Sequence, residues 1–274
     1  MLLEPIHLVT YFSPEPVGAL RAAGYRGYWM GYFAQRSAPL GAAGPDLVQA
    51  VFYNFSAEHI GGALPDAWAI APPKAALAAR LEGSTAALAR HAAVGDVRTD
   101  LARAAEIAGR LTQGAPVEGR TLFAANHALP EPTEPLARLW HAATLVREHR
   151  GDGHVTALLA HGIGGRESHV FHALQVQLPA AAYELSRNMA PEEWTHHLDA
   201  LRARGFVEAD GSLSEHGRAT KQAIEDLTDE LAGSAYAGVP DAEIEELEGL
   251  VGPLRHAVVA SGELPNPTPT GMVL

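Results

Sequence analysis

Apolar residues recur along this chain with the three- to four-residue spacing of amphipathic helices. The spacing predicts helices over residues 76–90, 97–111, 135–150, 191–205 and 216–231, and a last one striped by Ile244, Leu247, Val251, Leu254 and Val258. Alternating runs of β-branched residues are nearly absent, so the sequence favours a mostly α fold. Residues 263–274 contain three prolines and are expected to form an extended tail.

One stretch departs from the helical pattern. Residues 206–214 place short extended pieces on both sides of Asp210-Gly211, and an Asp-Gly pair in such a setting is typical of a β-hairpin. A helix, a hairpin and a long helix in succession predict a winged helix with its wing near residues 206–214.

The two halves of the chain contain short segments that match in the same order. Residues 6–11 align with 140–145, and residues 38–41 align with 161–164. Either the chain is an internal duplication or two Ala- and Leu-rich segments align by chance, and the sequence leaves both open. A duplication predicts two fused winged-helix-like halves, over 1–130 and 131–262, followed by the tail 263–274.

The passage LRARGFVEADGSLSEHGRA, residues 201–219, resembles the helix, wing and dimer helix of MarR-type winged-helix proteins. The segments LEPIHLVTYFSPE, RGYWMGYF and LWHAATLVREHRGDGHV resemble an actinobacterial family of uncharacterised helix-turn-helix proteins, across nearly the whole chain. This resemblance implies a fold and no established activity. In MarR-like dimers ligands enter a crevice beside the symmetry axis, so the resemblance also implies a pocket between the two halves.

Charge argues against a nucleic-acid partner. The chain has 20 basic and 32 acidic residues, a net charge of −12. The candidate recognition helix, residues 165–177, holds one arginine and one glutamate, and residues 191–215 hold six acidic side chains against two basic ones. DNA-binding faces are locally basic. A MarR-like transcription regulator therefore stands as the alternative function, of a different class.

Composition and motifs exclude several other classes. The chain has no cysteine, which excludes disulfides, thiolate metal sites and cysteine nucleophiles. It shows no run of eighteen apolar residues and no basic leader, so we expect a cytoplasmic monomer or homodimer without a membrane partner. Standard hydrolase, metalloprotease and P-loop motifs are absent, no metal site is assigned, and any cofactor is unknown.

Fourteen histidines make imidazole the main candidate for chemistry. His7 and His141 occupy equivalent places in the proposed duplication, with mostly apolar neighbours four residues away, which predicts that both face a shared cavity. The alternative is that both are buried and bonded locally. If the chain is an enzyme, which the sequence leaves undecided, His141 or His149 is the predicted acid or base. Metal or haem binding by these three histidines is a further hypothesis. Asp152 is expected to cap the helix that follows Gly151.

Aromatic side chains concentrate in residues 26–33 and 52–55, as in the wall of a ligand pocket or in a core. The core alternative is favoured for Phe52 and Phe55. We predict small-molecule binding, with arginines holding an anionic group and with catalysis left open. The predicted ligand-binding residues are His7, Tyr11, Tyr28, Trp29, Tyr32, Arg36, Tyr53, Asn54, Arg147 and Arg150.

Overall fold

A computed structural model describes residues 2–265 of the chain. These residues form two compact units: unit 1 comprises 2–43, 63–152 and 232–265, and unit 2 comprises 44–62 and 153–231. The units do not follow the predicted division at residue 130. Homology between the predicted halves stays a prediction.

Helices account for the regular structure of both units. In chain order they are α1 (Glu4–Phe12), α2 (Pro14–Ala22), α3 (Gly27–Ser37), α4 (Pro45–Phe52), α5 (Ala57–Gly61), α6 (Asp66–Ile70), α7 (Pro73–Val94), α8 (Leu101–Leu111), α9 (Thr121–His127), α10 (Pro135–Ala160), α11 (Gly165–Val176), α12 (Ala181–Arg187), α13 (Pro191–Ala203), α14 (Glu215–Gly233) and α15 (Asp241–Ala260). A short 3-10 helix covers Ala38–Leu40.

The periodicity of the sequence locates the long helices correctly. Residues 76–90 lie in α7, 97–111 overlap α8, 135–150 lie in α10, 191–205 overlap α13, 216–231 lie in α14, and the last apolar stripe lies in α15. Gly205, which follows the C-cap residue Arg204 of α13, adopts a positive φ of 76°, as is common for a glycine that ends a helix. The predicted tail lies outside the described residues from 266 onward.

Helix α7 packs against α1, α2, α3 and α15 in unit 1. The core of this unit also includes α8 and α10, and its large buried side chains include Ile6, Leu88 and Trp140. Gly83 of α7 permits a close helix crossing, because a Cβ atom there would lie 2.3 Å from the Cα atom of Pro16 in α2. This position therefore requires glycine.

Helices α11 and α13 pack against each other in unit 2. Their core includes the buried side chains of Val170, Phe171 and Leu201. The chain after α4 lies directly against the start of α11, where a Cβ atom on Gly165 would stand 1.9 Å from the carbonyl oxygen of Tyr53. No side chain larger than hydrogen fits at residue 165 without moving this segment.

The predicted β-hairpin wing is wrong. Among residues 2–265 no β-strand occurs, and residues 206–214 form a turn closed by a single antiparallel bridge between Val207 and Leu213. The backbone N–H of Glu208 donates to the carbonyl of Ser212 at 2.8 Å. Pairing is confined to Val207 and Leu213, which are buried in the core of unit 2, and the residues between them form the turn. The fold is mostly α, and the expectation of winged-helix-like halves fails with the wing.

Helix α10 continues through Gly151 and Gly153, where the sequence predicted an end. Asp152 does act as a cap, but for another helix: its Oδ2 accepts a 2.9 Å hydrogen bond from the backbone N–H of Phe123 in the first turn of α9. Each glycine inside a helix costs about 1 kcal/mol relative to alanine. The tertiary contacts of α10 offset that cost.

Candidate functional site

Unit 1 contains a pocket of about 170 Å³ where the end of α8, the segment after α9 and the first turns of α10 meet. An apolar cavity of about 150 Å³ holds a benzene molecule, so this pocket has room for a single-ring compound. Its lining mixes charged, polar and apolar residues, namely Gly109, Arg110, Thr112, Gln113, His127, Leu129, Glu131, Arg138, His141, Ala142 and Leu145.

His141 is the predicted catalytic residue that lines this pocket. It is only 6% exposed, and it makes no hydrogen bond with any residue between 2 and 265. Burial, aided by the positive charge of Arg80, lowers the pKa of His141 to about 4, so the ring is neutral at pH 7. A neutral imidazole offers one N–H donor and one lone pair.

Two further polar groups of the lining are buried and unsatisfied. Thr112 is 1% exposed, and its hydroxyl has no hydrogen-bond partner within the described part of the chain. Arg110 pairs with Glu243 through Nη2, whereas its Nε is buried without a partner among the same residues. Most buried polar groups in proteins are hydrogen-bonded. The Thr112 hydroxyl and the Arg110 Nε are exceptions to this rule.

An ion pair between Arg138 and Glu131 also lines the pocket, with Nε and Oε1 2.5 Å apart. Both side chains are partly exposed. A Cβ atom on Gly109 would lie 3.2 Å from that carboxylate oxygen and 3.3 Å from Nη2 of Arg138. The glycine therefore leaves room for the pair beside the end of α8.

His7 lies against a different face of α10. Its Nδ1 is 3.0 Å from the hydroxyl oxygen of Thr144, which itself donates to the carbonyl oxygen of Trp140. The Thr144 oxygen therefore accepts from His7, which places the imidazole proton on Nδ1 and leaves a lone pair on Nε2. The pocket at His141 does not include His7, so unit 1 does not bring these two imidazoles to that cavity.

Beside His7, the predicted ligand-binding residues Tyr11, Arg36 and Arg147 belong to a buried ionic cluster. Arg147 donates to Glu4 at 3.2 Å and to Glu148 at 3.1 Å, and its guanidinium lies 5.5 Å from the ring centre of Tyr11. Arg36 pairs with Glu148 at 3.5 Å. The cluster connects α1, α3 and α10, which is a structural role.

Burial and the arginines set the protonation states in this cluster. Burial is the largest influence on Glu148 and would raise its pKa, but Arg36 and Arg147 together hold that pKa below its usual value. Burial lowers the pKa of His7 and raises that of Tyr11, so both rings are neutral at pH 7. The charged members are thus the arginines and carboxylates alone.

Arg80 is the buried cation between this cluster and the pocket histidine. Its guanidinium donates to the carbonyl oxygen of Gln35 and to Oδ1 of Asn126, both at 3.2 Å, and lies 5.3 Å from the ring centre of Trp140. Burial lowers the pKa of Arg80 to about 10. It remains charged at pH 7 and so disfavours a second positive charge on His141.

The second predicted catalytic residue, His149, is fully buried on α10 and does not line the pocket of His141. Its ring packs edge-on against Phe123 with centres 4.9 Å apart, and burial lowers its pKa to about 4. Arg120 donates to its carbonyl oxygen. Arg150, which follows it, is half-buried on the same helix. The structure therefore does not join the two catalytic candidates.

The aromatic residues of α3 pack against one another. Ring centres lie 5.1 Å apart for Tyr28 and Trp29, 5.5 Å for Trp29 and Tyr32, and 6.1 Å for Tyr28 and Tyr32. Arg36 donates to the Tyr32 hydroxyl at 3.3 Å. None of these four residues lines the pocket at His141.

Tyr53 and Asn54 lie in unit 2, where their polar atoms serve the fold. The Tyr53 hydroxyl donates to the carbonyl oxygen of Ile163. The carbonyl oxygen of Asn54 accepts from Nε2 of His169 at 2.9 Å. The flanking Phe52 and Phe55 are buried, as the core alternative predicted.

Unit 2 also contains two helices, α12 and α13, joined by residues 188–190, the arrangement of a helix-turn-helix. Arg166 stabilises the turn between these two helices. It donates to both carboxylate oxygens of Glu193, at 2.6 and 2.8 Å, and to the carbonyl oxygens of Arg187 and Asn188, at 2.8 and 3.1 Å. The predicted recognition helix, residues 165–177, is instead α11, and its inner side is buried in the core.

The exposed side of α13 is not basic. It carries Glu192, Asp199 and Arg202, and the arginine pairs with Asp199 at 2.6 Å. Unit 2 as a whole has six basic residues against fourteen acidic ones, a net charge of −8. The charge of unit 2 is therefore predominantly negative.

Two searches for other kinds of site were negative. Within residues 2–265, no group of three or more His, Cys, Asp or Glu side chains is arranged to hold a metal ion. None of the helices described is long and apolar enough to cross a membrane.

Most residues of this pocket were not predicted from the sequence. Arg138, Ala142 and Leu145 are helical neighbours of His141 on α10, and that spacing was a usable signal. Thr112 and His127 come from segments whose approach to α10 depends on tertiary packing, and no local pattern marks them.

The chain was compared with known proteins. Neither the curated proteins nor the solved structures include a significant match. A family model described as a helix-turn-helix family matches residues 1–265. The match covers nearly the whole length, and it agrees with the α12–turn–α13 arrangement of unit 2. The chain therefore belongs to this helix-turn-helix family.

Proposed function

We propose that this helix-turn-helix family protein binds a small molecule in the pocket of unit 1. The observation that carries the proposal is His141, an almost fully buried imidazole without a hydrogen bond to residues 2–265, facing a cavity of about 170 Å³. Thr112, whose buried hydroxyl has no partner within the described residues, belongs to the same lining. Polar groups held in this way cost folding free energy unless a ligand or solvent satisfies them.

Binding fits His141 better than acid–base catalysis. A general base works best when its pKa lies near the operating pH. The pKa of His141, about 4, makes the imidazole a weak base at pH 7. The other predicted catalytic residue, His149, does not line this pocket. The proposal therefore assigns His141 a role in holding the ligand.

DNA binding is the second candidate, because the family match favours it. The charge of unit 2 opposes it: the net charge is −8, and Arg166, Arg202 and Arg204 each pair with a carboxylate. Sequence-specific binding by a MarR-like regulator would need a face that this unit does not present. A selection from random DNA fragments at about 0.15 M salt is expected to yield no enriched sequence. An enriched sequence would make DNA binding the leading function.

A fragment screen tests the proposal. A library of single-ring compounds is screened by ligand-observed NMR against the wild-type protein, His141→Phe, and the control His256→Phe, which alters an exposed histidine on α15 outside the pocket. Binding compounds are expected for the wild type and the control and not for His141→Phe, with all three proteins equally helical by circular dichroism. If the screen finds no compound whose binding depends on His141, the proposal is wrong.

A further inference from the structure

The ionic groups around the pocket neutralise one another. Arg110 pairs with Glu243, and Arg138 pairs with Glu131. The remaining titratable groups of the lining are His127 and His141, and the buried His141 is neutral at pH 7. A charged ligand would lose its hydration without gaining an unpaired counter-charge, and that loss is large for a buried ion. The pocket therefore favours a neutral molecule.

The unsatisfied polar atoms define what that molecule carries. His141 provides a lone pair and an N–H group. The Thr112 hydroxyl and the Arg110 Nε–H are buried in the lining without a partner among residues 2–265, and a rotation of either side chain turns its polar atom into the pocket. A hydroxyl group both donates and accepts, so it can donate to His141 and accept from Thr112 or Arg110. A purely apolar molecule would leave these atoms unpaired.

Apart from Gly109 and the amide side chain of Gln113, the rest of the lining is apolar. Leu129, Ala142 and Leu145 supply the hydrocarbon surface, and the pocket volume of about 170 Å³ limits the ligand to about one ring. Ala142 and Leu145 extend from the same helix as His141. A ring that rests on these side chains keeps its hydroxyl group within reach of the imidazole.

We infer that the pocket selects a neutral single-ring compound that bears a hydroxyl group, with phenol as its simplest form. This inference rests on the proposed function, since it names the ligand class for the same pocket. The hydroxyl group donates to the imidazole of His141 and accepts from Thr112 or Arg110, and the ring contacts the leucines. For a molecule of seven heavy atoms we expect a dissociation constant on the order of 1 mM.

Titration with matched probes tests the ligand class. Phenol, benzene and benzoate are each titrated into the full chain and followed by protein-observed NMR, with the imidazole signal of His141 as the site marker. Phenol is expected to bind about 5- to 10-fold more tightly than benzene, the ratio that about one net hydrogen bond provides. Benzoate is expected to bind more weakly than phenol, because its carboxylate finds no unpaired cation.

Variants separate the ligand class from the function itself. Thr112→Val keeps the shape and removes the hydroxyl, so it should weaken phenol binding and leave benzene binding unchanged, whereas His256→Phe should change neither. Equal affinity for phenol and benzene, or a preference for benzoate, would overturn the hydroxyl assignment while leaving ligand binding at His141 intact. If none of the probes moves the His141 signal and the fragment screen also fails, both the inference and the proposed function are wrong.

Discussion

Replacing Arg147 tests how much the buried ionic cluster contributes to the stability of the fold. The guanidinium joins two buried carboxylates, Glu4 at 3.2 Å and Glu148 at 3.1 Å, which are 6% and 3% exposed. Arg147→Met keeps the length of the side chain and leaves Glu4 as a buried charge without its ion-pair partner. Breaking a buried pair in this way costs about 3–5 kcal/mol. We expect a loss of that size in the free energy of unfolding, measured by urea denaturation at pH 7.

Arg98→Met is the matched control, because Arg98 pairs with Asp96 at 2.8 Å while both side chains are largely exposed. Such surface pairs contribute about 0–1 kcal/mol. Adding Glu4→Gln to Arg147→Met removes the stranded charge and should recover part of the loss. If Arg147→Met costs no more than Arg98→Met, the cluster is not a buried network and the reasoning fails.

Two further predictions concern the whole fold. The pKa of three imidazoles is lowered to about 4, first by burial: His141, His149 and His172. A histidine whose pKa is lowered by folding makes its full contribution to stability above pH 6.5, where it is neutral in both the folded and the unfolded state. That contribution is lost as the pH falls towards 4, because only the unfolded state takes up the proton. The melting temperature should therefore fall steadily from pH 7 to pH 4.5. Burial raises the pKa of Asp152 to about 6, which has the opposite effect on stability, but this is one group against these three histidines. A melting temperature that does not change with pH would contradict the prediction. Gly165→Ala should lower the free energy of unfolding by about 2 kcal/mol or more, because the added Cβ atom would stand 1.9 Å from the Tyr53 carbonyl oxygen. The control is Gly18→Ala in α2, where the added Cβ atom would have no other atom within 4 Å, so this variant should be slightly more stable than the wild type. Both variants are unfolded in urea, and equal changes in their free energies of unfolding would disprove the clash.

Periodicity predicted the helices because one stripe of each helix is apolar, and that signal is local. It failed at residues 206–214, where an Asp-Gly pair suggested a hairpin. Asp210 does form a tight turn, with its carboxylate accepting from the backbone N–H of Ser212 at 2.9 Å. A turn signal is also local, however, and the number of bridges on each side depends on where the neighbouring helices begin and end. The sequence therefore predicts the turn but not a sheet.

The candidate site shows the same limit. His141 could be named from sequence because its spacing on α10 placed it among apolar residues. The aromatic residues of α3 and the arginines of the ionic cluster looked equally suited to a ligand, since burial by other parts of the protein and burial by a ligand favour the same residue types. Only the hydrogen bonds distinguish the two cases: Arg147 is satisfied by Glu4 and Glu148, and His141 has no such partner among residues 2–265.

The arginines around the helix-turn-helix of unit 2 make their hydrogen bonds within the unit. Arg166 directs its donors to Glu193 and to two backbone carbonyls of the turn, and Arg204 directs its own to Glu167. These contacts hold α11, α12 and α13 together, so both arginines stabilise the unit from within. Such hydrogen bonds and ion pairs stabilise a helix-turn-helix whether or not it binds DNA. The family match concerns the arrangement of helices, whereas the proposed partner of this chain, a small neutral molecule in unit 1, rests on the pocket at His141.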